Sequence, residues 1–378
     1  MKVLLISANR ETLPDPVFPL GLSYVAASLE AAGHEVAALD LCFAQEVDQS
    51  VAAAVAATEP ELVGLSIRNI DDVGYPKVTC YVDLHRQVVT AVRRATGAPI
   101  VAGGAGFTIM PAEFLEALDV DYGVLGEGEE AMVDLAAHVA AGGSTRDDLP
   151  EAVVSRSRLE ARPRRSADWA RVRPERSHFS AEDYYDKGGM LNVQTRRGCP
   201  FRCSYCSYPR IEGSVVRLRP VAEAVDEIEA VVDGTGVRHL FVVDSVFNHP
   251  RDYALSFCDE LIARRLDVSW TCYAQAGRMD GELVEKMRRA GCEGVEFGTD
   301  ALVDEVLQNL EKGFTFAEVA ETSRLCRELE LRFCHFIFLG APGEGPEEVQ
   351  RSLERLASLE ADSSIIMAGI RIFPGCLL

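Results

Sequence analysis

The first 142 residues alternate short apolar runs with stretches in which apolar residues recur at helical spacing. The runs predict buried strands at 2–7, 35–39, 62–67, 99–102 and 122–125. The helical spacing predicts helices at 20–33, 51–57, 82–95, 112–118 and 129–141. Because strands that alternate with helices are joined by right-handed crossovers, we expect an α/β fold with a Rossmann-like, doubly wound parallel sheet over residues 1–142.

The same alternation resumes near residue 188. Strands are predicted at 191–195, 239–243, 268–274, 294–297, 332–339 and about 366–372, with helices between them. The segment 143–187 lacks this pattern, since Pro150, Pro163 and Pro174 interrupt it and ten of its residues are Arg or Lys. We interpret it as an irregular basic linker, whose cations either pair with acidic neighbours or bind an anionic group of a substrate.

Glycine-rich loops follow two strands of the predicted first sheet, at 103–108 and 126–130, and a polar loop at 68–74 follows a third. Ligands of such sheets bind outside the carboxyl ends of the strands, and glycine lets a large or phosphate-bearing ligand approach the backbone. The alternative is that these glycines only make tight turns. The GxGxxG fingerprint is absent after the first strand, so a nicotinamide site is not supported.

Composition excludes several classes of protein. The chain is 48% hydrophobic and 26% charged, which is ordinary for a globular protein, and no apolar run approaches the roughly 18 residues of a membrane span. Its 59 acidic and 38 basic residues give a net charge of −21, which disfavours nucleic acids and anionic membranes as partners. We expect a cytoplasmic protein that acts on a small molecule. Without an evident secretory signal, the 11 cysteines are expected to be reduced thiols.

Three cysteines are clustered with the spacing CxxxCxxC. Cys199, Cys203 and Cys206 come directly after the strand predicted at 191–195. Soft sulfur ligands suit an iron–sulfur cluster or zinc. No fourth cysteine lies nearby in sequence, and a [4Fe–4S] cluster held by three thiolates keeps one iron open to substrate atoms. The spacing therefore predicts a catalytic metal centre and not a closed structural site.

This motif resembles that of the radical S-adenosylmethionine superfamily, in which an aromatic residue, here Tyr205, precedes the third cysteine. The resemblance implies a partial (β/α)6 barrel of TIM type over 188–378, whose open iron binds S-adenosylmethionine. It also implies reductive cleavage to a 5′-deoxyadenosyl radical, with electrons from an external flavodoxin- or ferredoxin-like donor. Chemistry gathers at the carboxyl ends of barrel strands. There the resemblance places S-adenosylmethionine-binding residues at Tyr205, Asp244, Ser245, Gln275, Asp300, Lys312 and Gly340.

Further segments resemble the branch of this family in which a cobalamin-binding domain precedes the barrel. They lie at 19–22, 103–111, 126–129, 280–292, 298–312, 338–344 and 371–375. The branch implies that the first domain is of cobalamin-binding type. The expected cobalamin contacts are Arg68, Asn69, Gly103, Gly104, Phe107, Thr108, Gly126 and Glu127.

The chain departs from this branch in three respects, one of which is that Asp300 replaces the more usual Glu and so has a shorter reach. The DxHxxG motif, whose His ligates cobalt from below, is missing, so we expect base-off cobalamin without a His ligand. Arg68 is the nearest candidate for the lower face, where a guanidinium cannot donate a lone pair to cobalt. The alternative is that Arg68 pairs with Asp71 or Asp72. Many relatives continue past the sixth strand, so the linker or a partner is expected to cover the barrel mouth.

The resemblance implies a cobalamin-dependent radical enzyme that methylates an unactivated carbon of a natural-product or lipid-type metabolite. One S-adenosylmethionine would methylate cob(I)alamin, and a second would generate the substrate radical. Two alternatives stay open. The same cofactors could drive a cyclisation or rearrangement of the substrate or of S-adenosylmethionine, or the chain could be a corrinoid carrier or sensor. Product mass separates the first two, because methylation adds a CH2 unit.

Overall fold

The computed structural model describes residues 1–73, 78–145 and 148–378 as two compact units. The first unit comprises Met1–Gly189 with Arg210–Glu212, and the second comprises Met190–Pro209 with Gly213–Leu378. Each unit is built on its own six-stranded sheet. Among the described residues, none of the helices is both long and apolar enough to cross a membrane.

The first unit alternates strands and helices. Its elements are β1 (Lys2–Ser7), α1 (Leu20–Ala31), β2 (Glu35–Asp40), α2 (Val47–Thr58), β3 (Leu62–Ser66), β4 (Asp71–Asp72), β5 (Thr79–Cys80), α3 (Val82–Ala95), β6 (Ile100–Gly103), α4 (Ala105–Ile109), α5 (Pro111–Ala117), β7 (Tyr122–Val124), α6 (Gly128–Ala140), β8 (Val153–Val154) and α7 (Ala181–Asp186). The sheet order is β2-β1-β3-β6-β7-β8, and the strands from β2 to β7 are parallel. This is the order of flavodoxin-like doubly wound sheets, so the predicted Rossmann-like sheet is confirmed.

The core of the first unit follows from its sequence pattern. The central strands β1, β3 and β6 carry apolar residues at consecutive positions, because helices cover both faces of the sheet. Helix α3 instead buries His85, Val88 and Val92, which recur at intervals of three to four residues. Asp83 in its first turn and Arg93 near its end complement the helix dipole. This pattern allowed its bounds to be predicted from the sequence.

Besides helix α7, which lies in the segment predicted to be an irregular linker, three features of the first unit were not predicted. Helix α4 occupies the glycine-rich segment after β6, and β4 pairs with β5 in the segment after β3. Strand β8 adds an antiparallel edge beside β7, although it lies in the segment predicted to be an irregular linker. These elements have two to five residues, which is too short for a periodic pattern to show. Gly74, the predicted end of the loop at 68–74, lies outside the described residues.

The second unit has six parallel barrel strands with helices between them. Its elements are β9 (Leu191–Val193), β10 (Arg196–Arg197), α8 (Tyr208–Ile211), β11 (Arg217–Leu218), α9 (Val221–Thr235), β12 (His239–Val242), α10 (Arg251–Arg264), β13 (Ser269–Ala274), α11 (Gly281–Arg289), β14 (Cys292–Asp300), α12 (Asp304–Asn309), α13 (Phe316–Glu328), β15 (Arg332–Leu339), α14 (Pro346–Leu359) and β16 (Ser363–Ala368). The order β9-β12-β13-β14-β15-β16 is sequential, and every pair is parallel. This topology matches the predicted partial (β/α)6 barrel.

The sixth barrel strand was placed incorrectly. It was predicted at about 366–372, but β16 spans Ser363–Ala368 and Arg371 lies beyond its end. The apolar pattern continues past Ala368, so periodicity alone could not locate the end of the strand. Gly369 ends it with a φ of +90°, and its N–H donates to the carbonyl of Leu339 at 2.7 Å.

Candidate active site

The three clustered cysteines lie on the loop after β10, near the carboxyl end of the first barrel strand. Gly198 begins the loop with a φ of +90°, and a Cβ at this position would overlap the carbonyl of Val215. The N–H of Cys199 donates to Gly213 O, and the N–H of Cys206 donates to Cys203 O, both at 3.0 Å. The backbone that presents the three thiols is therefore fixed by its own hydrogen bonds.

These thiols fit the donor set of a [4Fe–4S] cluster. Burial raises the pKa of the Cys203 and Cys206 thiols, that of Cys206 to about 12, so their thiolates need a nearby cation such as cluster iron. Over residues 1–73, 78–145 and 148–378, no three His, Cys, Asp or Glu side chains converge on a single metal ion. A [4Fe–4S] cluster does not need that convergence, because each thiolate binds a different iron.

Asp244 follows β12 and is completely buried. Its Oδ1 accepts hydrogen bonds from the backbone N–H groups of Thr195 at 2.8 Å and Arg196 at 3.1 Å. Its Oδ2 accepts from the Thr195 hydroxyl at 2.5 Å and from Arg196 Nε at 3.2 Å. The carboxylate predicted to bind S-adenosylmethionine thus has four protein donors. They fix the chain just before Cys199, a role that the sequence did not indicate.

Three residues predicted to bind S-adenosylmethionine meet in one network. The Lys312 ammonium and the Tyr205 hydroxyl both donate to Oδ2 of Asp300. Lys312 Nζ also lies 3.4 Å from the Tyr205 hydroxyl oxygen. Lys312 is 5% exposed and Asp300 is 2% exposed. Burial alone would lower the pKa of Lys312, but the neighbouring charge of Asp300 raises it above its ordinary value, so the ammonium persists.

The other predicted S-adenosylmethionine residues lie at strand ends of the same barrel. Ser245 Oγ donates to Gly198 O at 3.3 Å, and the buried Gln275 donates through Nε2 to Lys312 O at 3.1 Å. The exposed Gly340 has a φ of +91°, and its N–H donates to Glu344 Oε2 at 2.6 Å. Two of the three therefore contact the cluster loop or the Lys312 network. Their contacts with S-adenosylmethionine stay a prediction.

Residues 376–378 contact the peptide groups between the second and third cysteines. The N–H groups of Leu377 and Leu378 donate to Ser204 O at 2.8 and 3.0 Å, and the Cys376 Sγ lies 3.1 Å from Tyr205 O. The Tyr205 backbone was predicted to contact the adenine of S-adenosylmethionine. Sequence patterns could not reveal this contact, because 171 residues separate Cys376 from Tyr205.

The loop after β3 carries the predicted lower-face residue of cobalamin. Arg68 is exposed, and its guanidinium donates to the Asn69 side chain at 3.3 Å. The Nε2 of His85, on α3, lies 3.3 Å from Asn69 O, and His85 is 2% exposed. Sequence analysis missed His85, because it lies on a helix and not in a strand-end loop. Burial lowers the pKa of His85, so its ring is neutral at ordinary pH.

The glycines predicted to contact cobalamin approach the protein's own backbone. A Cβ on Gly104, where φ is +99°, would lie 2.7 Å from Ile67 O, and one on Gly126, where φ is +77°, would lie 2.5 Å from Arg164 O. At Gly103 the nearest atom to such a Cβ is 3.7 Å away. The tight-turn alternative therefore accounts for Gly104 and Gly126.

The side chains beside these glycines are buried. Phe107 is 0% exposed, because helix α4 turns its ring into the core of the first unit. The Thr108 hydroxyl donates to Gly104 O at 2.9 Å and accepts from Gly126 N at 3.0 Å. Glu127 is 9% exposed, and its Oε2 accepts from Ser166 N at 2.9 Å. Phe107 was predicted to contact cobalamin, but its ring belongs to the core.

The basic segment 143–187 pairs with acidic neighbours. Arg164 donates to Glu130 and to Asp134, the latter at 2.7 Å. Arg158 lies 3.5 Å from Asp148. These contacts match the first of the two interpretations of its basic composition, in which the cations balance nearby carboxylates.

Aromatic side chains share the inner face of the barrel sheet, which the sequence did not single out. Thr271 and Tyr273 lie on the face of β13 opposite the buried Trp270. The Tyr273 ring centroid is 4.9 Å from that of Phe241 on β12 and 6.5 Å from that of Phe336 on β15. Tyr273 is 38% exposed, whereas Phe241 is buried, so Tyr273 is the most accessible ring of this aromatic wall.

Two family matches cover most of the chain. The B12 binding domain family matches residues 6–136, and the Radical SAM superfamily matches residues 193–356. The first match falls in the first unit, and the second falls in the second unit. This is the domain order that the sequence resemblance implied.

The chain is also similar to individual proteins. The tryptophan 2-C-methyltransferase of Streptomyces laurentii is 29% identical, over 98% of this chain and 73% of the relative. The structure of the radical S-adenosylmethionine methyltransferase TsrM from Kitasatospora setae, with cobalamin and a [4Fe–4S] cluster bound, is 30% identical and has a TM-score of 0.88. That similarity covers 99% of this chain and 76% of the other. The cobalamin-dependent radical enzyme OxsB shares the fold, with a TM-score of 0.75 at 18% identity over 94% of this chain and 51% of OxsB.

Proposed function

Because the chain belongs to the radical S-adenosylmethionine enzymes that carry a B12-binding domain, we propose that it transfers a methyl group from S-adenosylmethionine to a carbon atom of a small aromatic metabolite. Methyltransferases among its relatives support the reaction, since TsrM aligns with 99% of the chain. The observation that carries the substrate class is the aromatic wall formed by Phe241, Tyr273 and Phe336.

Cys199, Cys203 and Cys206 would hold the [4Fe–4S] cluster, and the loops after β3 and β6 would hold cobalamin. When bound, cobalamin supplies a cobalt centre that takes up and gives away a methyl group, and the cluster supplies an iron with an open coordination site. The protein's part is to fix these groups and exclude water. Asp244 holds the backbone before Cys199 in place. The contact between His85 and Asn69 holds the loop at Arg68.

The inner face of the barrel fits a flat apolar substrate with a polar group. Tyr273 pairs in register with Glu296 on β14, so a carboxylate lies beside the aromatic wall on the same face. A ring stacked on Tyr273 gains roughly 0.5–1.5 kcal/mol from aromatic packing beyond the area it buries. A carboxylate on this face can hold an amine or an indole N–H. Tryptophan has both, and the relative from Streptomyces laurentii is named for it.

The proposal also includes an electron donor and a cellular location. Electrons for the cluster would come from an external donor of flavodoxin or ferredoxin type. The location would be cytoplasmic, because all 11 cysteines are free thiols and a reducing compartment keeps them so.

Product mass tests the reaction and the substrate class together. The anaerobically reconstituted chain, given tryptophan and methyl-deuterated S-adenosylmethionine, is expected to yield tryptophan heavier by one labelled methyl group. Leucine serves as the control, because it has the same amino and carboxyl groups without the ring. A product in which no labelled methyl group has replaced a hydrogen would contradict methyl transfer, and methylation of leucine but not of tryptophan would contradict the aromatic substrate class.

The lower face of cobalamin gives a spectroscopic prediction. Co(II)-cobalamin bound to the wild-type chain is expected to show base-off electron paramagnetic resonance without nitrogen coupling, because Arg68 has no lone pair to donate. Arg68→His should introduce nitrogen coupling if residue 68 faces the cobalt. Arg68→Leu is the control, and it should show no nitrogen coupling, because it removes the guanidinium without supplying a lone pair. Nitrogen coupling in the wild type, or failure to retain cobalamin, would contradict this assignment.

A further inference from the structure

A buried ion pair, formed by Asp300 and Lys312, lies beside the cysteine loop. Asp300 and Lys312 are 2% and 5% exposed, and the Lys312 ammonium donates directly to the Asp300 carboxylate. Burying two charges carries a large desolvation penalty. The attraction between the two ions offsets that penalty only when further hydrogen bonds satisfy their remaining polar atoms. Here the Tyr205 hydroxyl supplies one of them by donating to the same carboxylate oxygen.

The backbone at Asp300 is strained where this pair forms. Asp300 ends β14 with a φ of +66°, in the left-handed region that non-glycine residues adopt only rarely. The register between β14 and β15 also shifts between Gly298 and Asp300. Strain of this kind persists only when the surrounding structure holds the residue in place. Both the burial and the strain serve to direct one carboxylate towards Lys312.

The pair lies against the loop that carries the thiols. Tyr205 stands between Cys203 and Cys206 in the sequence, and Lys312 Nζ lies 3.4 Å from its hydroxyl oxygen and 5.8 Å from its ring centroid. The positive charge of Lys312 is thus fixed beside the loop that carries the cluster ligands, and the Lys312 side chain is almost completely buried.

We propose that Lys312 is a positioning residue that sets the reduction potential of the [4Fe–4S] cluster, with Asp300 holding it and partly offsetting its charge. Reduction adds an electron to the cluster, so a fixed cation beside a ligand favours the reduced state and raises the potential. An anion at the same distance does the reverse. Burial makes both effects large, because water and salt do not screen them. This inference rests on the proposed binding of the cluster by Cys199, Cys203 and Cys206.

The test is a redox titration of the reconstituted chain, followed by electron paramagnetic resonance of the reduced cluster. Lys312→Gln removes the cation and is expected to lower the midpoint potential. Asp300→Asn leaves the cation uncompensated and is expected to raise it. Lys312→Arg keeps the charge and should stay near the wild-type value. Shifts of the midpoint potential in opposite directions in Lys312→Gln and Asp300→Asn indicate a charge effect. A purely structural role would not produce them.

The matched control is Lys286→Gln. Lys286, on helix α11, pairs with Asp259 at 2.8 Å, and 25% of its side chain is exposed. Its loss should not move the potential. Iron content is measured first in every variant, so absence of a cluster in the wild type contradicts the proposed function itself. Unchanged potentials, or shifts of the same sign in Lys312→Gln and Asp300→Asn, overturn the inference. If Lys312→Gln binds no cluster, the Asp300→Asn variant decides by itself. A midpoint potential in Asp300→Asn that equals or falls below that of the wild type then overturns the inference.

Discussion

A chain in which Cys199, Cys203 and Cys206 are all replaced by alanine is expected to bind no iron and to form no methylated product. The wild type, reconstituted anaerobically, should bind about four irons per chain with the absorbance of a [4Fe–4S] cluster. The three thiols are presented by a backbone that its own hydrogen bonds fix at Cys199 and Cys206. Removing their sulfur atoms therefore deletes the ligands without deleting the loop.

Two single variants serve as controls for the triple variant. Cys258→Ala removes a buried thiol from helix α10, and Cys376→Ala removes the thiol that lies 3.1 Å from Tyr205 O. Both are expected to keep the full iron content. Iron retained by the triple variant would refute the assignment of the ligands. Iron lost from Cys376→Ala and not from Cys258→Ala would show that the Cys376 thiol also supports the cluster, which would contradict a set of only three ligands.

Periodicity predicted those elements whose own sequence determines them. Helix α3 and strand β15 have the bounds that the sequence predicted, because α3 has one apolar stripe and β15 is an apolar run, interrupted only by His335, that follows Arg332 and ends before Gly340. Helix α4 was missed, because glycines at 103, 104 and 106 favour a loop. Burial of the Phe107 ring in the core stabilises this helix despite the low helix propensity of its glycines.

The candidate site was predictable in its members but not in their contacts. CxxxCxxC is local, so spacing sufficed to identify the three thiols. Asp300 and Lys312 were found through their motif, yet their pairing with Tyr205 depends on a strand end that lies 95 residues from the cysteine loop. Asp244 was likewise found at a strand end, but its four donors come from residues near 195 that no pattern links to it. Contacts of this kind arise from topology.

Loss of the Asp244 carboxylate is expected to destabilise the barrel strongly. Arg196 is 1% exposed and would keep its charge without a counter-ion, so Asp244→Ala should cost about 3–5 kcal/mol, as for other buried ion pairs broken on one side. The backbone N–H groups of Thr195 and Arg196 would also lose their acceptor. Because these residues lead into Cys199, the variant should also bind less iron than the wild type.

Asp280→Ala is the matched control for this prediction. Asp280 also pairs with an arginine, Arg251, at 2.5 Å and accepts a backbone N–H, that of Leu283, at 3.0 Å, but its side chain is 46% exposed. Its loss should cost about 1 kcal/mol, the value of a helix cap with an exposed ion pair. The chain has two tryptophans, Trp169 in the first unit and Trp270 in the second, so a Trp169→Phe background lets urea unfolding of the barrel be followed by Trp270 fluorescence. Equal losses of stability in Asp244→Ala and Asp280→Ala would contradict the prediction, since burial is the feature that separates the two carboxylates.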